Sequence, residues 1–365
     1  MSARFLTVVL ERAFNMRDGF GREIDYMRIS VIDSCNLNCY YCNPCDNNEH
    51  CHALNILSVK EVLCIVRAAT RLGIKHFRLT GGEPLLHPQL DEMVLQIKKI
   101  SGVSSVSLTT NAVLLAQHAK WLKEAGIDSI NVSLDTIDAS EYERITKKPL
   151  LEEVKHGINA AIECGIRVKI NVVLTPQTDV VALTRYVAKK GTDIRFIEMM
   201  PVGEGHTNGV EPYKKVIGTL SKLYGEPCRI NTEKTKEINS GNDKRKIPDN
   251  GPAEYYIFPE LGIRVGLIQA IHGKFCDTCN RIRVTADGRL MPCLGSSVTM
   301  DLVPDSCEFT DDLEKDFVIV QALKAAIKAK PRCHNFNDNA VTYTKTTEIE
   351  AAEVNAARNM SRIGG

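Results

Sequence analysis

From residue 26 to about 200 the chain alternates between short β-rich stretches and longer stretches whose apolar residues recur with helical spacing. Tyr26–Ile32, His76–Thr80, Val103–Thr109, Ser129–Ser133, Arg167–Leu174 and Asp193–Met199 read as strands. Val59–Leu72, Leu90–Ile100, Ala112–Ala125, Leu151–Cys164 and Val180–Lys189 read as the helices between them. Gly73, Gly126, Gly165 and Gly191 stand where four of these helices should end, as C-terminal caps do. Six β/α units in succession predict a parallel sheet with right-handed crossovers. The fold class is α/β, a partial (β/α)6 TIM-type barrel with a C-terminal extension. A doubly wound open sheet is the alternative, because the two further units of a full barrel are not found in the pattern.

Polar residues fall just after the strands. Cys35 follows the first, Gly81-Gly82-Glu83 the second, Thr110-Asn111 the third, Asp135 the fourth, and Glu198-Met199-Met200 the sixth. In barrel-type sheets the C-terminal strand ends build the active site, so these positions should share one mouth. Beyond residue 200 the pattern loosens. Gly203–Val210 reads as a loop, Thr232–Asn250 as an exposed polar run, and Tyr255–Leu294 as a second ordered unit. Two regions are expected, residues 1–202 and 203–365. The last residues alone would pass for a frayed tail.

Charge and composition remove several classes of function. Forty-six basic residues face forty-five acidic ones, so no global field points to nucleic acid or to a membrane surface. An anionic ligand would need a local basic cluster. Phe5–Leu10 is too short for a signal-peptide core, and no apolar run approaches a membrane span. The expected location is cytoplasmic. Thirteen cysteines then point to metal or redox use rather than a disulfide framework. Cys64, Cys164, Cys228, Cys307 and Cys333 are scattered, and most of them read as small buried apolar residues.

The remaining cysteines form two groups. Cys35-x3-Cys39-x2-Cys42 offers three thiolates from one loop, which leaves one iron of a [4Fe–4S] cubane without a protein ligand. S-adenosylmethionine (SAM) can take that position through its amino and carboxylate groups. Gly81-Gly82-Glu83-Pro84 after the next strand would expose backbone to a bound amino acid, with Glu83 an anionic partner for its ammonium. Zinc is the rival, with Cys45, Cys51, His50 or His52 as a fourth ligand. Cys276-x2-Cys279-x13-Cys293 is also three cysteines; His272 could complete a zinc site, and an open cluster fits the spacing equally. Arg281 and Arg283 alternate along the following stretch, so they should project together and suit phosphate oxygens.

Phe275-Cys276-Asp277-Thr278-Cys279-Asn280-Arg281-Ile282-Arg283-Val284 resembles the signature of the GTP 3′,8-cyclase family, radical SAM enzymes that begin molybdenum cofactor biosynthesis. Likeness extends over Gly19–Arg22, Met27–Ser30, Arg78–Pro84, Asn131–Asp135, Val168–Asn171, Ile194–Glu198 and the terminal Gly364-Gly365. The resemblance implies that Cys35, Cys39 and Cys42 hold the SAM-cleaving [4Fe–4S] cluster. It sets Tyr41, Gly82, Glu83, Ser133 and Met200 by SAM. Cys276, Cys279 and Cys293 would hold a second [4Fe–4S] cluster whose open iron takes the guanine of GTP. Arg28, Arg78, Thr109, Lys169, Arg281, Ile282 and Arg283 would contact GTP, with Arg195, Gly364 and Gly365 serving turnover; that role replaces the frayed-tail reading.

The implied reaction moves a hydrogen from C3′ of GTP to a 5′-deoxyadenosyl radical and joins C3′ to C8, giving (8S)-3′,8-cyclo-7,8-dihydroguanosine 5′-triphosphate. Implied partners are a low-potential electron donor of flavodoxin or ferredoxin type and a downstream cyclic pyranopterin monophosphate synthase; a homodimer is expected. The sequence departs from the family at His76 (usually lysine), Ala112 (usually glycine), Asn43 and Cys45 around Pro44, and Leu294. Two rivals are carried forward: a radical SAM enzyme that modifies peptides, and a zinc-stapled binding protein without catalysis.

Overall fold

The strands of the sheet are two-faced: one face is apolar and packs under helices, the other is polar and encloses a cavity. The computed structural model describes residues 16–42, 55–202, 209–230, 251–296, 298–302, 312–334 and 336. Strands β1 (Tyr26–Ser30), β2 (His76–Thr80), β3 (Ser105–Thr110), β4 (Ser129–Ser133), β5 (Val168–Val173) and β6 (Asp193–Ile197) pair in parallel in sequence order. After them come β7 (Cys228–Ile230), β8 (Glu254–Ile257), β9 (Arg264–Ile268), β10 (Arg281–Val284), β11 (Arg289–Met291) and β12 (Met300–Asp301). β9 adds in parallel to β6 and β10 in parallel to β1, while β7–β8 and β11–β12 extend the two ends antiparallel.

The parallel run is therefore β10-β1-β2-β3-β4-β5-β6-β9, eight strands and not six. The two missing strands are present without the β/α rhythm that made the others legible, and they come from the Tyr255–Leu294 stretch. This order has no reversal in its middle, so the doubly wound alternative is set aside in favour of the barrel-type sheet.

On the outer face Met27, Ile29, Phe77, Leu79, Val106, Leu108, Ile130, Val132, Ile170, Ile194 and Phe196 are fully buried under the helices. Each such side chain contributes about 1.5–3 kcal/mol of transfer free energy. The five expected helices run Val59–Arg71, Leu90–Lys98, Leu115–Glu124, Leu151–Glu163 and Val180–Lys189. The four glycines beyond Leu72, Ala125, Cys164 and Lys190 all have positive φ, as the capping reading required.

A sixth helix, Ala139–Thr146, was not expected. Its apolar face is short, and Asp138 rather than periodicity marks its start, accepting from the Glu141 amide at 2.8 Å. It matters for the site. The amides of Asn38 and Tyr40 donate to the carbonyls of Thr146 and Ile145, so this helix end holds the loop that carries the first three cysteines.

Candidate active site

Alternate residues of the eight parallel strands line one cavity of about 660 Å³, a volume suited to one or two small-molecule ligands. Both cysteine triads line it: Cys35, Cys39 and Cys42, and Cys276, Cys279 and Cys293. All are free thiols, and none is far out in solvent.

The first triad sits on the loop after β1. Burial raises Cys35 to about 11, with the Glu83 charge adding to it, and raises Cys42 to about 12. Cys39 is pushed well above the ordinary thiol range by burial and then by Cys42 and Asp135. Bare thiolates are thus disfavoured here, and a metal-bearing group is what would offset three of them together. Among the described residues no three His, Cys, Asp or Glu side chains are set to hold one metal ion. A cubane instead takes each thiolate on a different iron, so the donor set fits a cluster. Tyr41 is half-buried and its hydroxyl bonds to Asp135, whose other oxygen accepts from the Val173 amide at 2.7 Å. Burial raises Asp135 to about 6.

Gly81 and Gly82 have a further task beside the one expected of them. A Cβ on Gly81 would lie 2.3 Å from the Ile32 carbonyl oxygen, and one on Gly82 would lie 2.1 Å from that of Ser34. The amides of Gly82 and Glu83 donate to Ile32 and Ser34 at 2.7 and 2.8 Å. The glycines therefore let this turn clamp the cysteine loop, and Gly82 also faces the cavity. Glu83 is a correction. It is wholly buried and outside the cavity lining, and its carboxylate accepts from Leu85, Thr110 and Asn111. It meets protein donors and not an ammonium. Asn111 passes the constraint on, reaching Asn36 at 2.7 Å and the Cys35 sulfur at 3.8 Å.

Across the inner face the cations stand in register. Arg28 of β1 lies between Arg283 of β10 and Arg78 of β2. Asn131 of β4 faces Lys169 of β5, and Asn171 faces Arg195 of β6. Burial, then Arg283, pushes Arg28 well below the usual arginine range. Burial, then Arg281, lowers Arg283 to about 10. Like charges packed this way favour an anion among them. Tyr26 sits among them, its hydroxyl accepting from Arg78 Nε, and Arg78 Nη1 is 3.4 Å from Thr109 Oγ1. Arg195 Nε donates to Asn171 at 2.9 Å, while its Nη2 and Asn131 Oδ1 are buried with no partner among the described residues. Both residues line the cavity, so these atoms await a ligand.

At the second triad Arg281 Nη2 lies 3.6 Å from the Cys279 sulfur. Burial would raise Cys279, but Arg281 and Lys330 outweigh it and hold the thiol down at about 6. Burial raises Cys276. His272 is engaged with Glu198 and does not line the cavity.

Of the site residues expected from sequence, Arg28, Tyr41, Arg78, Gly82, Thr109, Ser133, Lys169, Arg195, Met200, Arg281, Arg283 and the six cysteines all line the cavity. Ile282 does not. It is 1% exposed in the core on the opposite face, as strand alternation demands. Only its backbone could meet a ligand. Gly364, Gly365, Cys45 and Cys51 lie outside the described residues. Cys228 and Cys333 are exposed, against the expectation of burial, and of the scattered cysteines Cys64 alone is fully buried among the described residues. Missed altogether were Tyr26, Asn131, Asn171 and Lys330. For the first three the signal was the polar alternation in Tyr26–Ser30, Ser129–Ser133 and Val168–Val173. Parallel strands buried on both faces are normally apolar throughout.

A family model described as Radical SAM superfamily matches residues 29–182, and one described as Molybdenum Cofactor Synthesis C matches residues 192–336. The GTP 3′,8-cyclase of Clostridium perfringens (strain SM101 / Type A) is 35% identical over 324 residues, 88% of this chain and 95% of that protein. That of Alkaliphilus oremlandii is 33% identical over 357 residues, 96% of this chain and 100% of that protein. The chain belongs to the GTP 3′,8-cyclase family. It is a radical SAM enzyme with a [4Fe–4S] cluster and SAM as cofactors, acting at the first step of molybdenum cofactor biosynthesis. The SuiB protein of Streptococcus suis shares the fold, with a TM-score of 0.54 at 15% identity. The alignment covers 82% of this chain and 65% of SuiB, just under two thirds of its length. Among the described residues no helix is long and apolar enough to cross a membrane.

Proposed function

We propose that the cavity binds SAM at the first cysteine triad and GTP between the second triad and the cationic face, and that the enzyme converts GTP to (8S)-3′,8-cyclo-7,8-dihydroguanosine 5′-triphosphate. One observation carries this reading: two cysteine triads and a register-aligned row of cations line a single cavity. Cys35, Cys39 and Cys42 would hold the SAM-binding cluster, and Cys276, Cys279 and Cys293 a second [4Fe–4S] cluster. When bound, the first cluster supplies the electron that cleaves SAM, and the second offers an iron to the guanine.

The chain's own residues do the rest. Tyr41, Gly82, Ser133 and Met200 bound the SAM side of the cavity. Arg28, Arg78, Arg281 and Arg283 meet the triphosphate with charge-assisted hydrogen bonds, and Lys169 and Thr109 extend that surface. Arg195, held by Asn171, and Asn131 present the free polar atoms that orient the nucleoside. Holding both ends of GTP fixes the ribose between them, which is where orientation lowers the barrier. Gly364 and Gly365 are assigned to turnover by resemblance alone.

Partners follow from the chemistry: a low-potential electron donor of flavodoxin or ferredoxin type, and a cyclic pyranopterin monophosphate synthase to take the product. The enzyme would act in the cytoplasm, as a homodimer. The peptide-modifying alternative is disfavoured by the arginine row, whose charge and donor geometry suit the oxygens of a triphosphate. The test is anaerobic incubation of the reconstituted chain with SAM, a reductant and GTP. Formation of 5′-deoxyadenosine and the cyclised nucleotide together is expected; 5′-deoxyadenosine without conversion of GTP would remove the substrate assignment.

A further inference from the structure

Two of the buried cations near the second cysteine triad donate to backbone carbonyls of its own segments, and they differ in one respect. Arg22 has its own carboxylate: its Nε pairs with Asp18 at 2.5 Å. Its other donors go to the carbonyls of Cys276, Pro331 and Arg332 at 2.6–2.8 Å. Lys330 has none. Its ammonium is 2% exposed and donates to the carbonyl of Arg281 at 2.8 Å and of Pro292 at 2.9 Å. An ammonium has three protons to give, and among the described residues no carboxylate pairs with this one. Lys330 lines the cavity together with Cys276, Cys279 and Cys293.

The two carbonyls are informative. Arg281 stands two residues after Cys279, and Pro292 stands immediately before Cys293. Lys330 therefore ties together the two segments that carry these thiols, and its remaining proton and its whole charge stay in the cavity at that point. An ammonium taken out of water without an anion is costly. The group that offsets it must be negative and must sit beside these segments, which describes a cluster bound by three thiolates.

We propose that Lys330 is the counter-charge of the second iron–sulfur site, a positioning residue that both gathers its thiolate-bearing segments and stabilises the cluster's reduced state. The inference rests on the reading of Cys276, Cys279 and Cys293 as cluster ligands. A nearby positive charge favours the more negative oxidation state, so Lys330 raises the cluster's reduction potential.

The experiment uses the full-length chain, reconstituted anaerobically as wild type, Lys330→Met and Lys330→Arg. Iron and sulfide per chain are measured first, with SAM cleavage as the check that the first site is intact. Reduction potentials are then followed by electron paramagnetic resonance in a background lacking Cys35, Cys39 and Cys42, so that only the second cluster reports. Two results support the proposal while SAM cleavage persists: a more negative potential in Lys330→Met that Lys330→Arg restores, or loss of the second cluster's iron in Lys330→Met alone. Three results overturn it: an unchanged potential in Lys330→Met, equal loss of iron in both variants, or loss of SAM cleavage together with all iron. A rise in KM for GTP with the potential unmoved would give Lys330 to the substrate instead. If the wild type itself carries iron and sulfide for one cluster only, the two-cluster reading fails at that earlier step.

Discussion

The carbonyl of Ser34 stands so close to Gly82 that a Cβ there would lie 2.1 Å from its oxygen. The turn after β2 and the cysteine loop after β1 are thus one unit. Gly82→Ala forces them apart, at a cost of about 1–3 kcal/mol. The expected outcome is a chain that folds with a lower melting temperature and loses iron at the first triad. Iron analysis and a thermal melt check it; full iron content would refute the clamp.

Glu83 gives a pH dependence. Burial raises its carboxyl from 4.5 to about 7 against three hydrogen-bond donors. Between these values the folded chain binds more protons than the unfolded one, so this group's contribution to stability falls as pH rises from about 4.5 to 7. At roughly 1.4 kcal/mol per pKa unit the loss is about 3 kcal/mol. Urea melts at pH 5 and pH 8 should therefore differ less in Glu83→Gln than in the wild type.

The arginine row trades stability for binding. Arg28 is half-buried, with Arg283 and Arg78 as its register partners. Arg28→Met should raise the stability of the GTP-free protein by about 1 kcal/mol, because one of three like charges in register becomes apolar. It should weaken GTP binding at least tenfold, about 1.4 kcal/mol or more. Melting in the absence of GTP and a GTP titration test both halves. A variant that melts lower while keeping GTP affinity would contradict the account.

Ala112 has φ +65, a left-handed conformation that glycine adopts without strain. The left-handed conformation costs a residue with a Cβ about 1–2 kcal/mol, partly returned through its stiffer unfolded chain. Ala112→Gly should stabilise by about 0.5–1 kcal/mol, read as a higher urea midpoint with an unchanged slope.

The β/α core was readable because its helices repeat, cap with glycine and bury one face. The places of β9 and β10 in the parallel run escaped because they join the sheet through irregular chain, where no local period announces pairing. The helix Ala139–Thr146 escaped because eight residues give too little periodicity. In the site, the cysteines and the pair Arg281 and Arg283 declared themselves by spacing, whereas Arg28, Arg78 and Arg195 came only through the resemblance. Glu83 was assigned to a ligand because sequence shows which residues are near a site but not which way they face. The side chain of Ile282 looks away because its neighbours Arg281 and Arg283 look into the cavity, which leaves its backbone for any contact with the ligand. Lys330 lies 37 residues from Cys293, and only the fold brings it to the triad.

The central claim is that one cavity serves two iron–sulfur sites with separate tasks. Cys276→Ser tests it most directly, assayed anaerobically with SAM, reductant and GTP for both products. The account predicts 5′-deoxyadenosine formation as in the wild type with the cyclised nucleotide lost. Undiminished conversion of GTP by Cys276→Ser would contradict it.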